Sequence, residues 1–340
     1  MQTSLHGLAH YVGIVARGPG RSRSLTQDEA RDAMILILRG AAAPEAIGAL
    51  LMVLRVRHET AEEIAGFAQA ARQSLGSWQD IEADIDWPSY AAGRSRGLPY
   101  FLLAAILLAG NGVRVMMHGY NSHMRDDSGT MAALGALGLA CATTPAAARA
   151  DVNRGGFAYV PLEALSPRLL ELLKLREVLG LRSCINTVLR AFNPVGANAS
   201  MVGVFHPPYL GLQVDAARLL GQRRMAAFKG GGGEAERNPF KELAVNDLKA
   251  GDATKTQWPA LIEGEHRRLN EFLQVDVTQL TGLWRGEVVD PVGEAIVMGT
   301  AAVALAAVGR VSSPAEADAL AKEIWSQRDR RLLPLTRKAA

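Results

Sequence analysis

Apolar and polar positions alternate at helical spacing through the first seventy-five residues. Thr26 and Glu29 form a capping-box pattern, in which each side chain accepts a hydrogen bond from the main chain where a helix begins. Thr60 and Glu63 repeat this pattern further along the chain. The apolar periodicity predicts helices over residues 30–38, 44–54 and 64–72. These segments indicate a small helical module.

After Trp78 the pattern changes to short β-branched or apolar runs. Strands are predicted over residues 113–117, 201–205 and 225–228, alternating with helical stretches over residues 99–109 and 210–220. Such alternation favours an α/β domain with a parallel sheet and flanking helices, and it makes the region near residue 78 a candidate hinge. The uncharged segment 295–308 is too short and too weakly apolar to span a bilayer, so we expect a buried core helix and no membrane association.

Composition narrows the class of protein further. The chain has 340 residues, of which 49% are hydrophobic and 21% charged, so it can form real cores and is not expected to be disordered. Cys141 and Cys184 are too few for a disulfide framework or a zinc cluster, and the amino terminus lacks the features of a signal peptide. These features predict a cytoplasmic protein.

The basic residues are mostly of one type. Seven of the 37 are lysine and the rest are arginine, while the net charge is only +3. Arginine presents a planar fork of donors that suits phosphate groups. The same bias also results from a genome rich in G and C, without any functional meaning. Composition alone leaves both interpretations open.

Several segments occur together in an order typical of one family. Residues 181–194, Met117-His118-Gly119 before them and residues 198–205 after them resemble the anthranilate phosphoribosyltransferase family and its relatives, the pyrimidine nucleoside phosphorylases. Residues 40–55, 59–67 and 299–309 are similar to that family's amino-terminal and final helices.

This resemblance implies a homodimer and an α/β fold in two parts. The small helical domain would comprise residues 1–77 with a helical insertion at about 165–190. The larger α/β domain, with a mainly parallel central sheet, would comprise residues 78–164 and 191–340.

The family's phosphate-binding motifs are altered in this chain. Its Gly-Thr-Gly-Gly-Asp turn is replaced by residues 90–97, and no Asn-x-Ser-Thr segment precedes the following helix. Met117 stands where the family's Lys-His-Gly-Asn segment has lysine, and Ala235 replaces one of two metal-binding acids. The resemblance leaves a relic substrate site at His118, Gly119, Asn121, Arg182, Asn186 and Glu236. Catalysis and a metal cofactor are therefore not expected, and Mg²⁺ enters only if the enzyme is active.

Two Gly-Arg-Ser-Arg loops favour a different function. Each precedes a helix amino terminus, where unpaired N–H groups and the helix dipole attract anions. Lys229 lies beside a run of four glycines, which is typical either of phosphate binding or of a floppy loop. The candidate phosphate contacts are Arg21, Arg23, Arg94, Arg96, Arg182, Arg190, Lys229 and Arg237. Together with a resemblance to the YbiB-like branch of the superfamily, they predict a non-catalytic protein that binds DNA or RNA without sequence preference.

Two alternatives stay open. One is a phosphoribosyltransferase or nucleoside phosphorylase with an altered substrate, based on Arg182, His118 and Glu236. The other is a sensor that keeps an aromatic-acid pocket at Arg182 without chemistry. The spacing of His118, His123 and His206 does not match a metal site, so structural or surface roles are expected for them, with His118 on a loop between a strand and a helix.

Overall fold

The computed structural model describes residues 7–18, 20–90, 97–120, 129–263 and 276–331. Four helices form the amino-terminal part: α1 (Leu8–Ala16), α2 (Gln27–Leu38), α3 (Pro44–Arg57) and α4 (Ala61–Gln73). Helices α2 and α4 pack so closely that a Cβ at Gly66 would lie 2.2 Å from the Gln27 carbonyl oxygen. Only glycine permits this approach.

Both predicted capping boxes are confirmed. The Thr26 side chain accepts from the Glu29 N–H, and Glu29 accepts from the Thr26 N–H. Thr60 and Glu63 make the same pair of bonds at the start of α4. These bonds satisfy main-chain donors that a helix cannot pair internally, which fixes where α2 and α4 begin.

A seven-stranded sheet forms the centre of the rest of the chain. Its strands are β1 (Ile85–Ser89), β2 (Val115–Gly119), β3 (Phe157–Pro161), β4 (Ala199–Val204), β5 (Arg224–Lys229), β6 (Leu243–Lys249) and β7 (Asp252–Trp258). The spatial order is β3-β2-β1-β4-β5-β6-β7. Strands β1 to β5 pair in parallel, while β6 and β7 are antiparallel. The predicted α/β fold with a mainly parallel sheet is confirmed.

Helices cover the sheet. They are α5 (Tyr100–Ala109), α6 (Thr130–Ala136), α7 (Pro145–Gly155), α12 (Tyr209–Leu219), α13 (Thr278–Arg285), α14 (Pro291–Ala307) and α15 (Pro314–Gln327). Helix α14 packs against α5 and α15 and is largely buried, which confirms the core helix expected near residues 295–308. No described helix is both long enough and apolar enough to cross a bilayer.

A second group of helices joins the amino-terminal part. These are α8 (Leu162–Leu165), α9 (Pro167–Lys174), α10 (Arg176–Leu179) and α11 (Ile185–Ala191). Helix α11 packs on α4, and the Arg72 Nε donates to the Phe192 carbonyl oxygen at 2.7 Å. Apolar residues of both groups share one core. This arrangement places α11 and its preceding loop beside the sheet.

The strand order creates a crevice. Strands β1 and β4 are neighbours, but the chain proceeds from β1 towards β2 and from β4 towards β5, in opposite directions across the sheet. At such a switch point the two connections run from the carboxyl ends of the strands to opposite sides of the sheet. They leave a crevice between them, and ligands of open α/β sheets bind in it. The carboxyl ends of β1 and β4 therefore mark the first place to seek a site.

Candidate functional site

A cavity of about 120 Å³ opens at the switch point. Its lining comes from the end of β4, the loop before α11, α11 itself, α3 and α12: Arg55, Arg182, Ser183, Asn186, Thr187, Arg190, Val204, Phe205, His206, Tyr209 and Gln213. We call this cavity the switch crevice. It shares Arg182 and Asn186 with a neighbouring cavity beside α9 and α10, and Phe205 with a larger one beside β5. The three cavities therefore adjoin one another.

Arg182 is the principal charge of the switch crevice. It is half-buried and forms no ion pair or hydrogen bond with any described residue. Burial, together with the nearby charges of Arg176 and Arg190, lowers the pKa of Arg182 to about 10. A cation that is partly removed from water and lies beside like charges is destabilised, and the binding of an anion stabilises it. The site is therefore organised for a negatively charged group.

Arg190 has a different role from the one predicted. It is buried, and its guanidinium donates to the carbonyl oxygens of Gly203 at 3.2 Å, Asn186 at 2.8 Å and Tyr90. Burial lowers its pKa, while the charge of Glu234 opposes that effect. Arg190 thus ties the end of β1 to the end of β4. Its burial and these three hydrogen bonds give Arg190 a structural role, whereas a contact to an external phosphate was expected.

His118 lies on strand β2 instead of the predicted loop. It is fully buried, and its Nε2 donates to Asp86 Oδ1 at 3.1 Å while its Nδ1 accepts from the Tyr90 hydroxyl at 2.8 Å. The ring of Phe192 packs edge-on at 5.0 Å between centroids. The expected structural role of His118 is consistent with this network, which joins the ends of β1 and β2 where the family has its glycine turn.

Gly119 continues β2 directly after His118. A Cβ at Gly119 would lie 2.0 Å from the Ser89 carbonyl oxygen, so the glycine is required by the contact between β1 and β2. Gly119 and His118 therefore serve packing in this structure. Asn121, also assigned to the relic site, lies outside the described residues.

The four-glycine run forms a defined turn. A Cβ at Gly230 would lie 1.6 Å from the Glu234 carbonyl oxygen, and Gly232 and Gly233 have φ of 63° and 86°. Both features require glycine. The turn lines a cavity of about 730 Å³ together with Lys229, Lys241 and Lys255. The run is therefore a turn whose conformation requires glycine, and four basic and two acidic residues line its cavity.

The acids near this turn do not form a metal centre. Glu236 is buried and its Oε2 accepts from the Phe101 N–H at 3.0 Å, at the start of α5. Ala235 beside it is completely buried. Among the described residues, no group of three His, Cys, Asp or Glu side chains could hold a metal ion. The buried acids Glu234 and Glu236 are the carboxylates here that could contribute to a magnesium ion whose other ligands came from substrate phosphates and water.

The remaining predicted phosphate contacts are dispersed. The Arg23 guanidinium pairs with Glu29 at 2.6 Å, which lowers the pKa of Glu29 to about 2. The buried Arg237 pairs with Asp318 at 2.7 Å and stacks over Trp258. Arg21 is exposed on the loop before α2. Arg94 and Arg96 lie outside the described residues. The structure thus brings only Arg182, Asn186 and Arg190 of the predicted residues together in the switch crevice.

Eight of the eleven residues that line the switch crevice were not predicted from the sequence, among them Arg55, Thr187, Tyr209 and Gln213. Arg55 donates to the Tyr209 hydroxyl at 2.7 Å, which links α3 to α12 across the crevice. Thr187 and Gln213 form the floor. One signal was present in the chain, because Tyr209 begins the helix that follows β4, and the start of such a helix faces the carboxyl edge of a parallel sheet.

Comparison with known proteins assigns the family. Residues 13–75 match the helical bundle domain of a glycosyl transferase family, and residues 101–327 match the α/β domain of the same family. The chain belongs to this glycosyl transferase family. Its members include anthranilate phosphoribosyltransferases from Geobacillus kaustophilus, 28% identical over 88% of this chain and 90% of the relative, and from Rhodopseudomonas palustris, 30% identical over 73% and 72%.

Solved structures agree with this assignment. Anthranilate phosphoribosyltransferase from Thermus thermophilus has a TM-score of 0.79 and 25% identity, over 92% of this chain and 94% of that one. The Saccharomyces cerevisiae enzyme in complex with PRPP and Mg has a TM-score of 0.74 over 96% and 95%, and at 17% identity it shows the fold alone. The chain therefore has the anthranilate phosphoribosyltransferase fold, within a family of phosphoribosyltransferase type.

The prediction of a non-catalytic DNA- or RNA-binding protein is wrong. The relatives and the structural neighbours are phosphoribosyltransferases, nothing in these comparisons indicates nucleic-acid binding, and the YbiB-like branch receives no support. The physical reason is visible in the arginines. Arg190 and Arg237 are buried, and the exposed Arg23 is paired with Glu29, so these three arginines do not form the free basic surface that was expected. The homodimer stays a prediction.

Proposed function

We propose that this chain is a phosphoribosyltransferase-type glycosyl transferase whose acceptor is a small anionic ring compound held at Arg182 in the switch crevice. The observation that carries the proposal is the half-buried Arg182 without a partner among the described residues. An unpaired buried charge is costly, and a protein retains one where a ligand supplies the opposite charge. Membership of the family supplies the reaction class.

The size and lining of the crevice support a small acceptor. A cavity of about 120 Å³ lies below the range of roughly 300–1,000 Å³ that holds drug-sized ligands. Phe205 and Tyr209 provide aromatic surface, and Asn186 provides a polar side chain next to Arg182. A planar ring with one acidic group matches this combination, and relatives named for anthranilate act on such a compound.

The larger cavity at the glycine turn is the proposed place of the donor. A phosphorylated sugar with a pyrophosphate leaving group carries dense negative charge, which has to be neutralised by fixed donors and cations. Lys229, Lys241 and Lys255 supply cations, and the glycines allow close approach of the main chain. Phe205 lines both cavities, so a donor there would lie beside an acceptor at Arg182.

The family's usual phosphate contacts are not reproduced in this chain. Tyr90 is buried at the end of β1, where the family's glycine turn begins. Met117 is buried in β2, at the position of the family's lysine. A relative binds PRPP with Mg, but the described acids here do not fit a metal centre, so no step is assigned to a metal. The proposed contribution of this chain is orientation: Arg182 fixes the acceptor, and the lysines hold the donor in reach of it.

Calorimetry with phosphoribosyl diphosphate, with and without Mg²⁺, tests the donor site. A transfer assay that measures pyrophosphate release with a panel of aromatic acids tests the reaction. We expect micromolar donor binding and acid-dependent release, both in the native protein, with acid-dependent release lost in Arg182→Gln. Absence of donor binding together with absence of release across the panel refutes the proposal.

A further inference from the structure

The buried acid in the wall of the cavity at the glycine turn is engaged by the main chain. We call this cavity of about 730 Å³ the glycine-turn cavity. Glu236 lines it, is 4% exposed, and accepts from the Phe101 N–H through Oε2 at 3.0 Å. This bond satisfies a main-chain donor that α5 cannot pair within its first turn. A metal ion at Oε2 would have to compete with that N–H.

The neighbouring positions do not complete an acidic pair in this cavity. Ala235 stands where the family has a second metal-binding acid, and it is completely buried against β4, since a Cβ at Gly203 would lie 2.4 Å from the Ala235 nitrogen. Glu234 is 1% exposed and does not line the glycine-turn cavity, and its charge acts on the buried Arg190. The described residues therefore do not assemble the family's two carboxylates around the donor.

Lysines supply positive charge to the same cavity. Lys229 ends β5, Lys241 precedes β6 and Lys255 lies within β7, and all three line the cavity. Each is exposed and forms no ion pair with any described residue. An ammonium group is a compact cation that binds phosphate oxygens. These lysines are therefore available to an anionic ligand.

The register of the strands brings two of the lysines to one face of the sheet. Asn246 pairs with Lys255 across β6 and β7, and Phe228 pairs with Val245 across β5 and β6. Neighbouring residues of a strand point to opposite faces, so Lys229 and Asn246 lie on the face opposite that of the Phe228 and Val245 pair. Lys229, Asn246 and Lys255 thus share the face that lines the cavity.

We infer that the glycine-turn cavity binds the diphosphate of the donor through lysines in place of a metal ion, and that Glu236 opposes this binding. The inference rests on the proposed function for the identity of the anion. The dense charge of a diphosphate requires fixed cations, which Lys229 and Lys255 provide. The buried charge of Glu236 in the same lining repels the ligand. In this respect the chain departs from the Saccharomyces cerevisiae enzyme in complex with PRPP and Mg.

Calorimetry with inorganic pyrophosphate as the probe tests the inference on the native protein. Affinity is measured once with EDTA present and once with Mg²⁺. We expect binding in EDTA that Mg²⁺ leaves unchanged or weakens, because the metal ion occupies phosphate oxygens that the lysines would contact. Absence of binding in EDTA, or an affinity that rises more than about threefold with Mg²⁺, overturns the inference.

Glu236→Gln distinguishes an opposing charge from a metal ligand by the sign of its effect. Glutamine keeps an oxygen for the Phe101 N–H but removes the charge, so pyrophosphate should bind about 10-fold more tightly in EDTA. Loss of a metal ligand would instead weaken binding in Mg²⁺. Glu242→Gln is the matched control, because Glu242 lines the same cavity but is exposed, and water screens its charge. A gain in Glu236→Gln no larger than that in Glu242→Gln overturns the role of Glu236.

Lysine variants test the cations directly. Lys229→Met and Lys255→Met should each weaken pyrophosphate binding in EDTA by about 10-fold, as expected for the loss of a charge-assisted hydrogen bond. Both lysines are exposed, so neither change removes a buried contact. Lys322→Met, on the exposed surface of α15 and outside the cavity, should leave the affinity unchanged. Native affinity in both cavity variants overturns the inference.

The same measurements separate this inference from the proposed function. If pyrophosphate binding depends on Mg²⁺ while transfer to an aromatic acid is observed, the inference fails and the proposed function stands. If pyrophosphate binds in EDTA but no acid of the panel supports transfer, the glycine-turn cavity stands as an anion site and the proposed function fails.

Discussion

Arg182→Gln should raise the free energy of unfolding of the unliganded protein. The same substitution should weaken the binding of acids. Burial and like charges lower the pKa of Arg182 from its ordinary value to about 10. Each unit corresponds to ~1.4 kcal/mol, and because the side chain is only half-buried, solvent screening reduces the total cost of the charge to ~1–2 kcal/mol. Removing the charge removes this cost. Losing a charge-assisted hydrogen bond should at the same time weaken acid binding by ~1.5–3 kcal/mol, about 10- to 100-fold.

The size of the gain in stability from Arg182→Gln depends on pH. In the unfolded chain Arg182 is charged up to its ordinary pKa, and in the folded chain it loses its proton near pH 10. The penalty is therefore present throughout the neutral range, begins to fall as the pH rises through the folded pKa, and disappears only above the unfolded pKa. The advantage of Arg182→Gln should be constant from pH 6 to 9 and shrink above that range.

Urea unfolding at neutral pH, with and without benzoate, measures both effects. Arg218→Gln is the control, since Arg218 is exposed near the end of α12 and its replacement should bring no gain in stability. If Arg182→Gln lowers the free energy of unfolding of the unliganded protein, then Arg182 has a structural partner and the reasoning about an uncompensated charge is refuted.

Three further substitutions test other parts of the structure by urea unfolding. Arg190→Met should lower the free energy of unfolding by about 3 kcal/mol, because three main-chain acceptors lose their buried donor. An unchanged free energy of unfolding would contradict the assigned bridge between β1 and β4. Gly230→Ala should cost about 3 kcal/mol, since its Cβ would lie 1.6 Å from the Glu234 carbonyl oxygen; unchanged stability would mean that the turn is adaptable. Glu29→Gln should lower the free energy of unfolding by about 1 kcal/mol at neutral pH. Because the pKa of Glu29 is lowered to about 2, this difference from the native protein should vanish as the pH falls from about 4.5 through 2. A difference that stays constant with pH would contradict the ion pair with Arg23.

Local sequence signals predicted much of the fold. Thr26 and Thr60 are followed by acids at the spacing of a capping box, and such a bond depends only on neighbouring residues, so the helix starts were readable. Strands β1 and β3 were missed because their residue types are poor strand signals: β1 contains Asp86, Pro88 and Ser89 although all five of its residues are buried, and β3 ends in Pro161.

The site was less predictable, because exposure and partners depend on tertiary packing. Arg182 and Arg190 belong to one short segment and are chemically identical in the sequence. In the folded chain one lacks a partner and the other is saturated by carbonyl groups of distant strands. Gln213 was missed for the same reason, since its orphaned oxygen exists only after α12 packs against α11.

The position of the site follows from the fold, whereas its chemistry follows from the loops. The order of strands places a crevice between β1 and β4 in any protein with this topology. In this chain the described ends of β1 and β2 are tied together by the hydrogen bond between the Tyr90 hydroxyl and His118 Nδ1. The lysines around the glycine turn and the unpaired Arg182 lie on the other side, along β4 and β5. Both substrates of the proposed reaction are anions, and both would therefore bind on the β4 side of the switch point, which is where altered specificity within the family should be sought.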